Sequence, residues 1–291
     1  MVEIKICGIT NVSDARAVAE YGADALGFIF YPKSQRYVEP EKAREIIQKL
    51  SCKIGKVGVF INHEVREVKE IVQFCGLDLI QLHGDEPPEY CAQFPTSSLI
   101  KAVSCRTEEE VLELRSYPVA AILMDACDAE HYGGTGKLSD WKLAIRLMEM
   151  HPLILAGGLN EENIRKAIKT VRPQAVDVNS GVEISPGKKD PNKIREIIKI
   201  VREVDTPSPL LSRSRGEARQ GVTKLFLAYS TAIRGENNSL VFKTEDNRKR
   251  GNHLCRGILQ TGKGILASWA ENTSRKRLWL RSSSWKRRTV P

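Results

Sequence analysis

The residues of this 291-residue chain that could do chemistry stand at the ends of short apolar runs. Cys7 closes Ile4-Lys5-Ile6 and precedes Gly8. A free thiol has a pKa of about 8.5, so modestly electropositive surroundings make it a base usable near neutral pH. The bland alternative is a small buried hydrophobe. Asp125 closes Ile122-Leu123-Met124. A carboxylate there either caps the next helix or reacts. The next helical stretch starts only near Asp140, which weakens the capping reading. A thiol and a carboxyl at one mouth would form a base and an acid.

Three loops add polar or glycine-rich backbone. Gly157-Gly158 and Asn179-Ser180-Gly181 each follow an apolar run. Gly157, Gly158, Ser180 and Gly181 are suited to holding phosphate through backbone N–H groups. Gly133-Gly134-Thr135-Gly136 reads as a lid or as a plain turn. Arg36 is either a solvated surface arginine or a two-pronged grip on a carboxylate. His83 reads as a structural, hydrogen-bonded histidine. Lys5 is expected inside, paired with Asp177, and Asp177 is counted among the substrate-binding residues.

A repeated pattern must position these groups. Short β-branched runs at 4–7, 25–30, 56–61, 77–82, 99–103, 120–125, 152–156 and 175–179 read as strands. Amphipathic stretches at 12–21, 40–50, 65–74, 87–94, 108–115, 140–150, 161–171 and 191–203 read as helices. Eight of each in strict alternation fits a (β/α)8 TIM barrel or an open doubly wound sheet. No G-x-G-x-x-G opens a helix after a strand, and polar residues end strands all around the repeat, so the closed barrel is expected. Period-two parity puts Lys5 and Cys7 on one face, and likewise Gln81 with His83 and Asp177 with Asn179. In a barrel these would face the interior.

Charge divides the chain. Residues 1–205 hold 27 Lys and Arg against 31 Asp and Glu, net −4; residues 206–291 hold 18 against 5, net +13, together the +9 of the whole. The first segment is read as the barrel domain. The second is read as a basic C-terminal tail, disordered or adventitious, with nucleic-acid binding through its Arg, Lys and Trp residues as the lesser alternative. A chain ending after Asp205 is accordingly expected to keep its activity and melting temperature. The seven cysteines are odd in number and lack C-x-x-C spacing, which argues against a disulfide framework or a structural zinc site. No signal peptide and no apolar run of roughly 18 residues is present, so a soluble, cytoplasmic protein is expected.

Several stretches together resemble the phosphoribosylanthranilate isomerase family. They are K-I-C-G-I-T at 5–10, G-F-I-F-Y-P-K-S-Q-R-Y-V at 27–38, Q-L-H-G-D-E at 81–86, the D…Y-G-G-T-G-K segment at 125–137, L-A-G-G-L-N at 155–160 and D-V-N-S-G-V-E…P-G-K-K-D at 177–190. The resemblance runs from residue 1 to about 203. It implies an Amadori rearrangement in tryptophan biosynthesis without metal or cofactor. Cys7 would be the general base and Asp125 the general acid. Arg36 would hold the anthranilate carboxylate, and the two glycine loops the phosphate. Asn179 stands where the family more often has Ser. The implied partner is a small phosphosugar, with no membrane and no obligate protein partner. Rival readings are another phosphosugar barrel, such as an indole-glycerol-phosphate synthase or a ribulose-phosphate epimerase. The first lacks a clear set of Lys and Glu partners at the mouth, and the second lacks metal-binding His.

Overall fold

The computed structural model describes residues 1–126, 139–205 and 225–226. Eight parallel strands close into a barrel in sequence order. They are β1 (Glu3–Ile6), β2 (Ala25–Ile29), β3 (Gly55–Phe60), β4 (Leu79–Leu82), β5 (Leu99–Val103), β6 (Ala121–Met124), β7 (Leu153–Leu155) and β8 (Ala175–Val178). After them in turn come α1 (Val12–Glu20), α2 (Pro40–Gln48), α3 (Val65–Cys75), α4 (Pro88–Cys91), α5 (Glu108–Glu113), α6 (Trp141–Leu147), α7 (Ile164–Val171) and α8 (Pro191–Asp205). The fold is the (β/α)8 TIM barrel that the alternation predicts. The ring closes where β1 lies beside β8, with Lys5 opposite Asp177.

Strand parity sorts the side chains. Ile4, Ile6, Leu26, Phe28, Phe60, Ile122 and Val176 face outward and pack under the helices. Ala25, Val57, Leu79, Ile100, Leu123, Ile154 and Ala175 face inward. Cys7, Ile29 and Val59 form the inner wall at the mouth. Gly27 sits on that wall because a Cβ there would stand 2.6 Å from Cys7 Sγ and 3.0 Å from Lys5 Cε. Local signals set the helix starts. Asn11, Thr107 and Asp140 accept N-terminal amides of α1, α5 and α6, and Pro40 and Pro191 begin α2 and α8.

The outer face carries a buried charge at Lys101. Lys101 alternates with the inward Ile100 and Ala102, so it points under the helices. Its Nζ donates to Glu86 Oε2 at 3.0 Å, Gly84 O at 2.7 Å and Ala102 O at 2.9 Å. An ammonium thus supplied with acceptors tolerates burial that a bare charge would not.

Two features were not legible in the sequence pattern. Between β8 and α8 an antiparallel hairpin forms, β9 (Glu183–Ser185) and β10 (Lys188–Lys189), turning at Gly187 with φ of 77°. Its strands are too short for any period to register. Beyond α8, Leu225 and Phe226 are buried in one cluster with the inward-facing barrel residues. The expected lid at Gly133–Gly136 and the remainder of the basic tail lie outside the described residues.

Candidate active site

The carboxyl ends of the strands enclose a pocket of about 740 Å³. Of the eight residues singled out from sequence, seven line it: Cys7, Arg36, Asp125, Gly157, Gly158, Asp177 and Ser180. Gly181 stands just behind. A Cβ on it would come within 2.0 Å of Leu159 O, so glycine there lets two loops meet.

Cys7 follows β1 with Lys5 one turn of the pleat below it. Lys5 is fully buried, and its Nζ donates to Asp177 Oδ2 at 2.6 Å. Burial works against the ammonium, but Asp177 and Cys7 outweigh it and hold its pKa above the ordinary value. Burial pushes the Cys7 thiol up, and Asp177 adds to this. Lys5 and Lys189 pull the other way without prevailing. The resting sulfur is therefore a thiol flanked by two cations that would stabilise its thiolate.

Asp125 follows β6, three strands round the ring from β1. It does not cap α6, whose first amides Asp140 accepts. Its Oδ1 accepts from the Ala126 N–H at 2.8 Å, and its Oδ2 lies 3.3 Å from His83 Nε2. Burial raises its pKa, but the contacts with His83, Ala126 N–H and Lys5 outweigh burial and hold it below the ordinary carboxylate value. His83 is in turn fixed through Nδ1, 2.9 Å from Gln81 Nε2. The histidine is hydrogen-bonded, as the sequence reading has it, and it also lines the pocket against the acid.

Arg36 reaches the pocket rim, but its fork is engaged. Nε lies 3.0 and 3.1 Å from the two Glu183 oxygens, and Nη2 lies 2.7 Å from Oε2. The two-pronged grip expected for a ligand carboxylate is made on Glu183 instead, through Nε and Nη2. Lys189, buried, donates to the same Glu183 at 2.9 Å and to Asn179 Oδ1 at 2.9 Å. Burial raises Glu183 and lowers Lys189. At Glu183 the Arg36 and Lys189 partners win, holding it below the ordinary carboxylate value. At Lys189 burial wins. Two cations and one carboxylate leave this side of the mouth net positive, ready for an anion.

The glycine loops present backbone. Gly157 and Gly158 have φ of 83° and 60°, a conformation that L side chains rarely adopt. A Cβ on Gly157 would stand 2.6 Å from Ala126 N. Ser180–Val182 forms a 3-10 turn, and the first amides of any such turn lack a carbonyl partner within it. Successive N–H groups of this kind form a nest for anions. Among the described residues, Asp177 Oδ1 and Gln81 Oε1 are buried without a hydrogen-bond partner, and both residues line the pocket.

Sequence reasoning did not single out Glu183 or Lys189. Glu183 and Lys189 lie on the hairpin, whose fold brings them over the mouth. Gln81, which parity places on the inner face with His83, does line the pocket, although no role was assigned to it.

The comparisons with known proteins agree with this geometry. A family model described as N-(5'phosphoribosyl)anthranilate (PRA) isomerase matches residues 4–200. An N-(5'-phosphoribosyl)anthranilate isomerase of Syntrophus aciditrophicus is 56% identical over 202 residues, covering 69% of this chain and 88% of that protein. The crystal structure of phosphoribosyl anthranilate isomerase from Thermotoga maritima superimposes with a TM-score of 0.63 at 43% identity, covering 70% of this chain and 100% of that one. A phosphoribosyl anthranilate isomerase solved with reduced 1-(o-carboxyphenylamino)-1-deoxyribulose 5-phosphate gives 0.61 at 42% identity, covering 70% and 100%. The match spans the whole barrel, so the chain belongs to the N-(5'-phosphoribosyl)anthranilate isomerase family.

Proposed function

We propose that this barrel converts N-(5'-phosphoribosyl)anthranilate to 1-(2-carboxyphenylamino)-1-deoxyribulose 5-phosphate, an isomerisation of tryptophan biosynthesis, with Cys7 as general base and Asp125 as general acid. The observation that carries this reading is one pocket holding a thiol beside Lys5, a carboxyl beside His83 and two glycine loops. Asp125 gives a proton to the furanose ring oxygen, and the C1'–O bond breaks as the nitrogen lone pair forms a Schiff base. Cys7 then takes the proton from C2', and the resulting enolamine tautomerises to the ketone. Acid and base each contribute about 10²–10⁴-fold to such a reaction.

At rest the proton sits on Cys7 rather than on Asp125. The working arrangement contains the same number of protons, exchanged between the two. Substrate anions near Asp125 push its carboxyl toward the protonated form, while Lys5 and Lys189 stabilise the Cys7 thiolate. His83, 3.3 Å from Asp125, is placed to hand the proton on.

The phosphate takes the nest of Gly157, Gly158, Ser180 and Gly181. The anthranilate carboxylate takes the free edge of Arg36. Asp177 Oδ1 accepts a sugar hydroxyl, which supplies the donor that this buried oxygen lacks. The enzyme works in the cytosol on a diffusible phosphosugar. No helix among the described residues is long and apolar enough to cross a membrane. The residues assigned to catalysis and substrate all lie in the barrel, residues 1–205, and none in the basic C-terminal extension, residues 206–291.

The test is turnover of phosphoribosylanthranilate by the purified full chain and by Asp125→Asn. Turnover that falls at least about a hundredfold in the variant supports the assignment. A wild-type chain without turnover would sink the reading, and an active Asp125→Asn would remove the acid.

A further inference from the structure

The floor of the barrel, opposite the pocket, is closed by residues from outside the barrel. At this end β2, β6 and β8 begin with Ala25, Ala121 and Ala175, and β3 begins with Gly55. Such small residues leave the centre of the ring unfilled. Phe226 is completely buried there and Leu225 nearly so, in one cluster with the three alanines. Phe226 Cβ is close enough that a Cβ on Gly55 would stand 3.4 Å from it.

A polar contact accompanies the apolar one. Glu3 opens β1 on the inward face and is buried. The Phe226 N–H donates to its two carboxylate oxygens at 3.1 and 3.3 Å. A carboxylate turned into the floor of an apolar barrel needs donors, and this backbone amide is one.

We propose that the amino-terminal mouth of the barrel is a docking site for Leu225–Phe226 of the chain's own C-terminal segment, a clasp that completes the floor and stabilises the enzyme. Reach supports docking within one chain. Arg202, in the last turn of α8, donates to Val2 O at 2.9 Å and to Gly22 O at 2.7 Å, residues that immediately precede or approach the starts of β1 and β2. The chain therefore leaves α8 on the floor side. Residues 206–224 then span at most about 60–70 Å when extended, several times what is needed to reach the centre of the floor. Leu225 and Phe226 also fall in the same compact unit as the barrel. The clasp and the catalytic pocket occupy opposite ends, so the clasp acts on stability and not on substrate.

The test uses the full chain. Phe226→Ala is expected to lower the melting temperature by about 5–10 °C, the scale of a large core truncation in a domain of this size. Its turnover of phosphoribosylanthranilate at 25 °C should stay within about twofold of wild type. Hydrogen exchange in the unmutated chain gives an independent reading. The Phe226 amide should exchange at least tenfold more slowly than in a peptide of the same sequence, and Glu3→Ala should remove that protection. An unchanged melting temperature together with peptide-like exchange overturns the clasp. Protection that disappears on dilution, in step with dissociation of a dimer, overturns it too, by assigning the occupant to a second copy.

Discussion

Cys7 and Arg36 carry the sharpest expectations at the scale of single residues. Cys7→Ser replaces a thiol between two cations by a hydroxyl that is far too weak a base near neutral pH. Binding of a product analogue should survive while kcat falls more than tenfold; a variant that keeps over about a tenth of the wild-type kcat removes the base assignment. Arg36 would have two roles in one side chain under the proposed function, since Glu183 takes Nε and Nη2 and the anthranilate carboxylate is assigned to the remaining Nη1 edge. Arg36→Met should raise KM far more than it lowers kcat, as expected for an interaction made equally in ground and transition state. Because Glu183 then keeps only Lys189 among its cations, a modest loss of thermal stability should accompany the change. An unaltered KM returns Arg36 to a purely structural role.

At the scale of elements, the strands place charges by parity and the hairpin of β9 and β10 completes the mouth. Lys101 tests how strictly parity must be obeyed. It is the outward residue of β5 that should be apolar, and it is tolerated because Glu86 and backbone carbonyls surround it. Lys101→Met leaves the Glu86 carboxylate, which also accepts from the amides of Asn62 and Gly84, without its buried counter-charge. Loss of one partner of a buried pair costs about 3–5 kcal/mol. Chemical denaturation should show a loss of that order with the denaturant slope unchanged. A change under about 1 kcal/mol would mean that the amides alone suffice for Glu86.

For the whole molecule, buried titratable groups predict a dome of stability against pH. Asp125 and Glu183 are held below the ordinary carboxylate range, where their partners outweigh burial. Unfolded carboxyls near pKa 4 then bind protons that the folded ones refuse, so their stabilisation is complete above about pH 5 and is lost as pH falls through the lowered values. The thiols act on the other side. Burial pushes Cys7 up, Cys75 to about 12 and Cys91 to about 11. Unfolded thiols ionise near about 8.5, so stability is full below that pH and declines as pH rises toward the folded values. Urea midpoints measured from pH 3 to pH 10 should therefore peak between about 5 and 8. A midpoint flat from pH 8 to pH 10 would show that the thiols ionise in the folded protein too.

Read as a sequence, the chain determines its own barrel and the floor plan of its site. Alternating apolar runs specify eight strands and eight helices, because periods of 2 and 3.6 are local properties. Parity then puts Lys5 with Cys7, Gln81 with His83 and Asp177 with Asn179 on inner faces, since a slip of one residue would exchange core and solvent sides. What only the tertiary structure decides are the pairings between residues distant along the chain. Arg36 and Glu183 are 147 positions apart, Lys5 and Asp177 are 172, and Phe226 and Glu3 are 223. No local period encodes such contacts, which exist only once the ring has closed. For that reason sequence leaves Arg36 open between a solvated arginine and a carboxylate grip, and the structure pairs it with Glu183. For the same reason a tail that charge and composition assign to solvent contributes two residues to the floor of the barrel.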